Sequence, residues 1–437
     1  MMKCLIIFCW LCLTFDINAQ VNNFKIKDDK RSEKIKFELF NNLIIIPVKV
    51  NDVELKFLLD SGVDKTVLFS FEQIDSLALK NTKSIRVKGI SGVESIEAYK
   101  SSNNRIKIKN IYNNQSDIYV IFDQENYLSG SIGTVINGVI GYDLLKDFVI
   151  RFDYELKRLK FYTPSKFQRP LVFYKERSLS FINNKPHLKA EISDGEMGRH
   201  KDRFLIDTGS GDAVWVYQKD SIDLPKAKFE DNLGFGFQGV ITGYRSTADR
   251  FQIADFTFDN VNIAIPNFDN AITQRRIGAI GGEILKRFKF FLSYPDKKIF
   301  LKNNSFFKDE FIYDKSGLLL RYGGLSIVEK QIPVKVSIQK SSSESYGSIN
   351  KDNTYKTIYE IKKMITIAGI RKDSPASKVD LQVDDLITQL QGKNINRYDL
   401  KEVRELLSSE KGKQIEMQIN RNGVSKKVKF KLEDRMY

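Results

Sequence analysis

From about Glu33 to Asn304, apolar and polar residues alternate in short β-branched and aromatic runs, broken by Asn, Asp and Gly. A period of two with such punctuation predicts half-buried strands joined by tight turns. Beyond Glu310 the period changes. Leu400, Val403, Leu406 and Leu407 share one helical face and predict a helix over Tyr398–Ser408, followed by strands at Gln414–Asn420 and Lys426–Leu432 around an Asn422-Gly423 turn. The Ser/Lys/Asn-rich stretch Lys340–Lys356 reads as a mobile insertion. The pattern therefore divides the chain into two β units, 34–164 and 165–305, and a mixed α+β unit, 310–437. Ahead of them, Lys3, the apolar run Leu5–Leu13 and Ile17-Asn18-Ala19 read as a signal peptide over 1–19. That run is shorter than the roughly 20 apolar residues a membrane span needs, and no later segment predicts a transmembrane helix.

Composition narrows the chemistry. The 437 residues are 42% hydrophobic and 29% charged, enough to bury cores in two or three domains. Lys and Arg total 70 against 55 for Asp and Glu, a net charge of +15. The basic residues are scattered and alternate with apolar ones, as in Ile106-Lys107-Ile108-Lys109, so they read as solvated strand faces rather than a nucleic-acid surface. Only His187 and His200 are present, which disfavours histidine-based zinc sites and several His-dependent mechanisms. Cys4, Cys9 and Cys12 all lie in the leader, so a chain cut after Ala19 has no disulfide, thiol nucleophile or thiolate–metal site. No cofactor and no metal site are expected.

The β region repeats itself. Ile44–Val50, an Asn51-Asp52 turn and Lys56-Phe57-Leu58-Leu59 lead into Asp60-Ser61-Gly62. His187–Ile192, a turn at Asp194-Gly195 and Arg203-Phe204-Leu205-Ile206 lead into Asp207-Thr208-Gly209. Further on, Gly138–Phe161 aligns without a gap to Gly278–Leu301, with identities at Gly138, Ile140, Gly141, Leu145, Lys146, Phe148, Tyr154 and Lys157. A duplicated β unit accounts for both.

One Asp-Ser/Thr-Gly is an ordinary turn sequence. Two copies, each after an apolar strand and each followed by apolar-apolar-Gly at the same place, carry more. An approximate two-fold between them brings Asp60 beside Asp207, where two carboxylates cannot comfortably both ionise and share a proton. One member can then activate a water while the other protonates a carbonyl oxygen or leaving amine. Ser61 and Thr208 supply hydroxyls to tie the turns together, and Gly62 and Gly209 allow the close approach. Val139-Ile140-Gly141 and Ala279-Ile280-Gly281 are expected to pack behind the turns.

The duplicated motif with its downstream Ile-Gly resembles the retropepsin-like aspartic peptidases in a bacterial single-chain form, over roughly Lys34 to Asn304. The resemblance implies a mainly β, bilobal pepsin/retropepsin-like duplicated β-barrel resting on a six-stranded sheet, with a catalytic pair at Asp60 and Asp207. Val63 follows the first motif where such enzymes more often carry Ala, Ser or Thr, whereas Ser210 follows the second in keeping with them. Gly234–Gly239 spells G-x-G-x-x-G, but β-branched Val240-Ile241-Thr242 follows instead of the helix a dinucleotide site requires. It reads as a hairpin, matched in the first copy by Val87–Gly92. Both lie where the resembled family has its flaps, making Gly89, Gly92, Gly239 and Gly243 the flap residues unless these are plain meander turns.

Ser316-Gly317-Leu318-Leu319-Leu320, Ser374-Pro375-Ala376 and Asp384-Asp385-Leu386-Ile387 resemble a bacterial PDZ domain over Glu310–Glu433. The resemblance implies a peptide-carboxylate loop at Gly317, Leu318, Leu319 and Leu320, with a groove that is open or filled by the domain's own insertion. Together these readings imply an exported, monomeric aspartic endopeptidase, periplasmic, secreted or envelope-associated. It would act on protein or peptide substrates, with a C-terminal peptide as a PDZ ligand. The alternative is a catalytically inactive peptide-binding or scaffold protein using the same cleft and groove.

Overall fold

Paired turn residues frame the strands. Asn41-Asn42, Asn51-Asp52, Asn183-Asn184 and Asn422-Gly423 hold positive φ at both positions, the geometry of tight hairpin turns, which Asn, Asp and Gly tolerate. The computed structural model describes residues 23–69, 77–88, 95–121, 134–169, 172–218, 222–236, 239–267, 276–333 and 355–434. The leader, Gly89, Gly92 and most of the expected insertion lie outside the described residues. Lys356 does not belong to that insertion, because it sits in a strand beginning at Tyr355.

The first unit contains β1 (Leu43–Val50), β2 (Val53–Leu59), β3 (Val67–Phe69), β4 (Lys83–Lys88), β5 (Ser95–Ile108), β6 (Ile111–Ile121), β7 (Gly138–Ile140), α1 (Tyr142–Leu145), β8 (Val149–Asp153) and β9 (Arg158–Tyr162). Its strands run in the order β6–β3–β7–β2–β1–β5–β4, and β6 also pairs with β5. The second unit contains β10 (Lys185–Asp194), β11 (Gly198–Ile206), β12 (Val214–Val216), β13 (Phe229–Gly236), β14 (Gly239–Ile253), β15 (Phe256–Pro266), β16 (Gly278–Ile280), α2 (Gly282–Leu285), β17 (Phe288–Ser293) and β18 (Lys298–Asn303). Its order, β15–β12–β16–β11–β10–β14–β13 with β15 also on β14, repeats the first strand for strand. The duplication read from two motifs thus extends to the whole connectivity.

Apolar runs become strands covered on both faces. Ile44, Ile46, Val48, Phe57 and Leu59 enter the main core, while Ile45, Leu58, Val67 and Val139 face a second, smaller one. The two units meet in a six-stranded sheet. β8 pairs antiparallel with β17 at its centre, β9 and β18 flank them, and Ser32–Lys36 and Lys175–Ser178 form the edges. Phe152 and Phe290 stack across the seam at 4.5 Å between ring centroids. The short helices α1 and α2 gave no periodic signal, since four residues make barely one turn.

The third unit has its own core, of Leu320, Ile365, Ile387, Val403, Leu407 and Ile419 among others. Its strands are β19 (Leu318–Pro333), β20 (Tyr355–Ile370), β21 (Leu386–Leu390), β22 (Gln414–Arg421) and β23 (Val424–Lys431), hydrogen-bonded in that order. Helix α3 (Leu400–Leu407) starts at Asp399, whose side chain and that of Glu402 form a reciprocal capping box. The linker into this unit is fastened to the second unit. The fully buried Arg287 donates to the carbonyls of Phe306, Phe307 and Asp309, and its guanidinium lies 3.9 Å from the centroid of the Phe311 ring.

Candidate active site

Two equivalent strand crossings deliver Asp60 and Asp207. β2 runs parallel to β7, and β11 parallel to β16. At the strand ends the Asp60 amide donates to Ile140 O at 3.0 Å and the Asp207 amide to Ile280 O at 2.9 Å. The Ile-Gly segments therefore pack behind the turns, and Gly141 and Gly281 are required there. A Cβ on Gly141 would overlap the carbonyl of Asp60, and one on Gly281 that of Asp212.

The turns are locked to each other across 147 residues of sequence. The Ser61 amide donates to Thr208 Oγ1 at 3.0 Å and the Thr208 amide to Ser61 Oγ at 3.1 Å. Each hydroxyl then donates onward, Thr208 to Leu59 O at 2.8 Å and Ser61 to Ile206 O at 2.6 Å. Both side chains are fully buried, so these groups have no water to turn to. Gly62 N donates to Asp60 Oδ1 at 2.6 Å and Gly209 N to Asp207 Oδ1 at 3.0 Å. A Cβ on Gly209 would overlap the Asp60 carboxyl group, and one on Gly62 would sit 3.0–3.1 Å from an oxygen of each aspartate. Only glycine leaves the carboxyls this close.

Burial raises both carboxyls above the ordinary range, and they interact with one another. Asp60 is pushed up to about 8, by burial first and the Asp207 charge second. For Asp207 burial again dominates, but Arg276, the Gly209 amide, a hydrogen bond from Asp60 and Lys185 pull downward. With both carboxyls raised and each interacting with the other, the pair favours a single proton held between them. Sequence reasoning missed Lys185 and Arg276. Neither belongs to a motif, and only the fold brings them near the pair. Arg276 also lies over the Tyr217 ring at 5.1 Å. His187 is buried, with Nδ1 2.8 Å from Lys185 O. Burial, with Arg276, Arg203 and Lys185 around it, presses its pKa to about 4, so it stays neutral.

Gly239 and Gly243 lie on β14, which pairs antiparallel with β13 as the two arms of a hairpin with Gly236 opposite Gly239, so the described residues of the G-x-G-x-x-G segment are strand. In the third unit Gly317 has φ +84° and its Cα faces Ser374, which a Cβ would overlap. The Gly317 amide donates to Asp314 Oδ1 at 2.6 Å, and Ser316 donates to the same carboxylate through both its amide and its hydroxyl. The Leu318 amide donates to Ser316 Oγ. Leu318 and Leu320 are buried, and Arg404 of α3 donates to Leu320 O at 2.8 Å. The loop amides thus have internal partners, chiefly an aspartate that the sequence reading passed over.

Residues 46–144 match the family model described as "Aspartyl protease", and residues 366–421 match that of the PDZ domain. No curated protein matches the chain. Among solved structures, the crystal structure of an aspartic proteinase from Irpex lacteus aligns with a TM-score of 0.40 at 12% identity. The alignment covers 64% of this chain and 99% of that one. The first family match spans Asp60 and its Ile-Gly partner and the second spans β21, α3 and all of β22, so the chain carries an aspartyl-protease domain, the mark of a hydrolase, together with a PDZ domain.

Proposed function

We propose that the chain is an exported aspartic endopeptidase in which Asp60 and Asp207 activate water against a peptide bond. The observation that carries this reading is the reciprocal Ser61–Thr208 lock, which brings together two half-buried carboxyls close enough to favour a single shared proton. Asp207, ionised, takes a proton from the water as its oxygen attacks the carbonyl carbon, and Asp60 gives its proton to the carbonyl oxygen. Collapse of the tetrahedral adduct breaks the C–N bond: the proton taken by Asp207 passes to the leaving amine while one hydroxyl of the adduct returns a proton to Asp60. Both halves of the site come from one chain, which supports a monomer as the working unit. Leader-like residues 1–19, with the only cysteines, support export, and no described helix is long and apolar enough to cross a membrane. The PDZ module supports protein or peptide substrates.

The test is to incubate the chain from Gln20 with a mixed peptide library at several pH values, beside Asp60→Asn and Asp207→Asn. Internal cleavage by the parent and none by either variant is the expected result. Turnover should persist through neutral pH and fall as the last proton leaves the pair, with Asp60 pushed up to about 8. A folded parent that cuts nothing would overturn the reading and leave a peptide-binding cleft. A flat rate between pH 4 and 9 would contradict the shared-proton mechanism.

A further inference from the structure

The hairpin β13–β14 of the second unit is joined to the Asp207 loop and to the PDZ domain by one run of alternating charges. Asp207-Thr208-Gly209 continues through Ser210 and Gly211 to Asp212. The Asp212 carboxylate accepts from Trp215 Nε1 at 2.7 Å and from Arg245 Nη1 at 2.8 Å. Arg245 lies on β14, and its Nε bonds Asp231 Oδ2 on β13 at 2.7 Å. That same oxygen is 4.0 Å from Nη1 of Arg371, which follows the last residue of β20 in the PDZ domain. The other end of the Arg371 guanidinium donates to Asp314 O at 3.1 Å and lies 3.8 Å from Asp314 Oδ1, the carboxylate that caps the Gly317 loop.

Burial makes this arrangement consequential. The Arg371 side chain is 4% exposed, and its guanidinium covers the ring of Phe229, the first residue of β13, at 4.3 Å from the centroid. Phe229 also packs against Tyr313 of the linker. A cation withdrawn from water this far is held by its anions and its stacked ring, and those partners are held by it. Phe229 and Arg245 face each other across the two strands, so the PDZ domain grips the root of the hairpin where the strands enter it. A hairpin that folds over an extended peptide works only if its root is fixed relative to the reacting groups.

We propose that Arg371 is a positioning residue for peptide hydrolysis: through Asp231 and Arg245 it holds the root of the β13–β14 hairpin in register with the loop that carries Asp207. The PDZ domain is then a working part of the cleft instead of a separable recruiting module, and removing its grip weakens cleavage even of short peptides. The inference rests on the reading of Asp60 and Asp207 as the catalytic pair.

The test uses the full chain from Gln20, Arg371→Ala, Arg371→Lys, Asp231→Asn and the control Lys372→Ala at an exposed neighbour. Two readouts are taken: kcat and KM on a short peptide recovered from the library, and amide hydrogen exchange over 229–253. Arg371→Ala is expected to lower kcat/KM about ten-fold, mainly through KM, with the limbs of the pH profile unmoved. Exchange in β13 and β14 should speed up in parallel. Lysine should restore part of the loss, since it keeps the charge but not the planar stack on Phe229. Should Arg371→Ala fail to fold, Asp231→Asn breaks the same link from the other side with Arg371 and Asp314 intact. Unchanged kcat/KM and unchanged exchange in the folded variants would overturn the proposal. Hydrogen exchange needs no turnover, so a parent that cleaves nothing refutes the peptidase reading while the grip itself is still judged.

Discussion

Replacing Thr208 by Val keeps the shape of the side chain and removes only its hydroxyl. The structure sets the cost. The hydroxyl accepts from the Ser61 amide at 3.0 Å and donates to Leu59 O at 2.8 Å, while Ser61 and Thr208 are both completely buried. One backbone donor and one acceptor therefore lose a partner, at about 1–3 kcal/mol each, so the variant should be less stable by roughly 2–6 kcal/mol. The complementary bonds, Thr208 N to Ser61 Oγ and Ser61 Oγ to Ile206 O, survive and keep the cost from rising further. Trp215, the only tryptophan beyond the leader, lies in the unit that Thr208 belongs to and packs beside Asp212. Its fluorescence in a denaturant titration reports that unit alone, which matters because a multi-domain chain need not unfold in one step. A carboxyl displaced by about 1 Å can cost on the order of 100-fold in rate, so kcat should fall by about that factor with KM little changed. Thr208→Ser, which keeps the hydroxyl, should stay within roughly 1 kcal/mol of the parent, the worth of a buried methyl, and retain most activity. A Thr208→Val protein with the parent's midpoint and kcat would refute the argument that the lock orients the pair.

Other outcomes follow from the same site. Asp60 titrates far higher folded than unfolded, because burial and the Asp207 charge disfavour its ionised form. Its contribution to stability is complete below about pH 4, the unfolded carboxylate range, and is lost as pH climbs through about 8. Asp60→Asn should therefore flatten the stability profile between pH 4 and 8 and melt higher than the parent at pH 7, as Trp215 fluorescence would show. Gly209→Ala places a methyl on the Asp60 carboxyl, so activity should drop by roughly 100-fold or more, whereas alanine at the open Gly412 lacks a neighbour to strike but meets a φ of +84° and should cost only stability. Asp314→Asn leaves the Gly317 amide a neutral acceptor in place of a carboxylate. Calorimetry with a short peptide bearing a free C-terminal carboxylate should detect binding to that variant before it detects any to the parent, and equal binding to both would show that Asp314 does not guard the loop.

The parts of this molecule that were legible in the sequence are those where one residue type is forced locally. Asn51-Asp52 and Asn422-Gly423 announce hairpins because few residues accept positive φ. Asp-Ser/Thr-Gly with a later Ile-Gly announces the crossing because bulk at Gly62, Gly141, Gly209 or Gly281 would collide with backbone or carboxylate. Helix α3 was legible through its periodic face. The charge run from Asp212 to Asp314 was illegible for the opposite reason. Asp231 and Arg245 are ordinary polar residues on two paired strands and Arg371 follows a strand of another domain, and what makes them a unit is packing between domains that no local pattern encodes. The Gly317 loop combines the two cases. Its glycine is dictated by Ser374 and was found, whereas Asp314, three residues upstream, reads as a solvated turn residue until the fold turns its carboxylate back onto the loop amides. A motif names the groups able to bind a carboxylate, and only the surrounding packing decides whether that carboxylate arrives from a partner or from the chain itself. Here an internal aspartate fills that role, and its neighbour Arg371 ties it toward Asp207. The aspartate that occupies the Gly317 loop is thus also the Arg371 partner from which the proposed link runs through Asp231 toward Asp207.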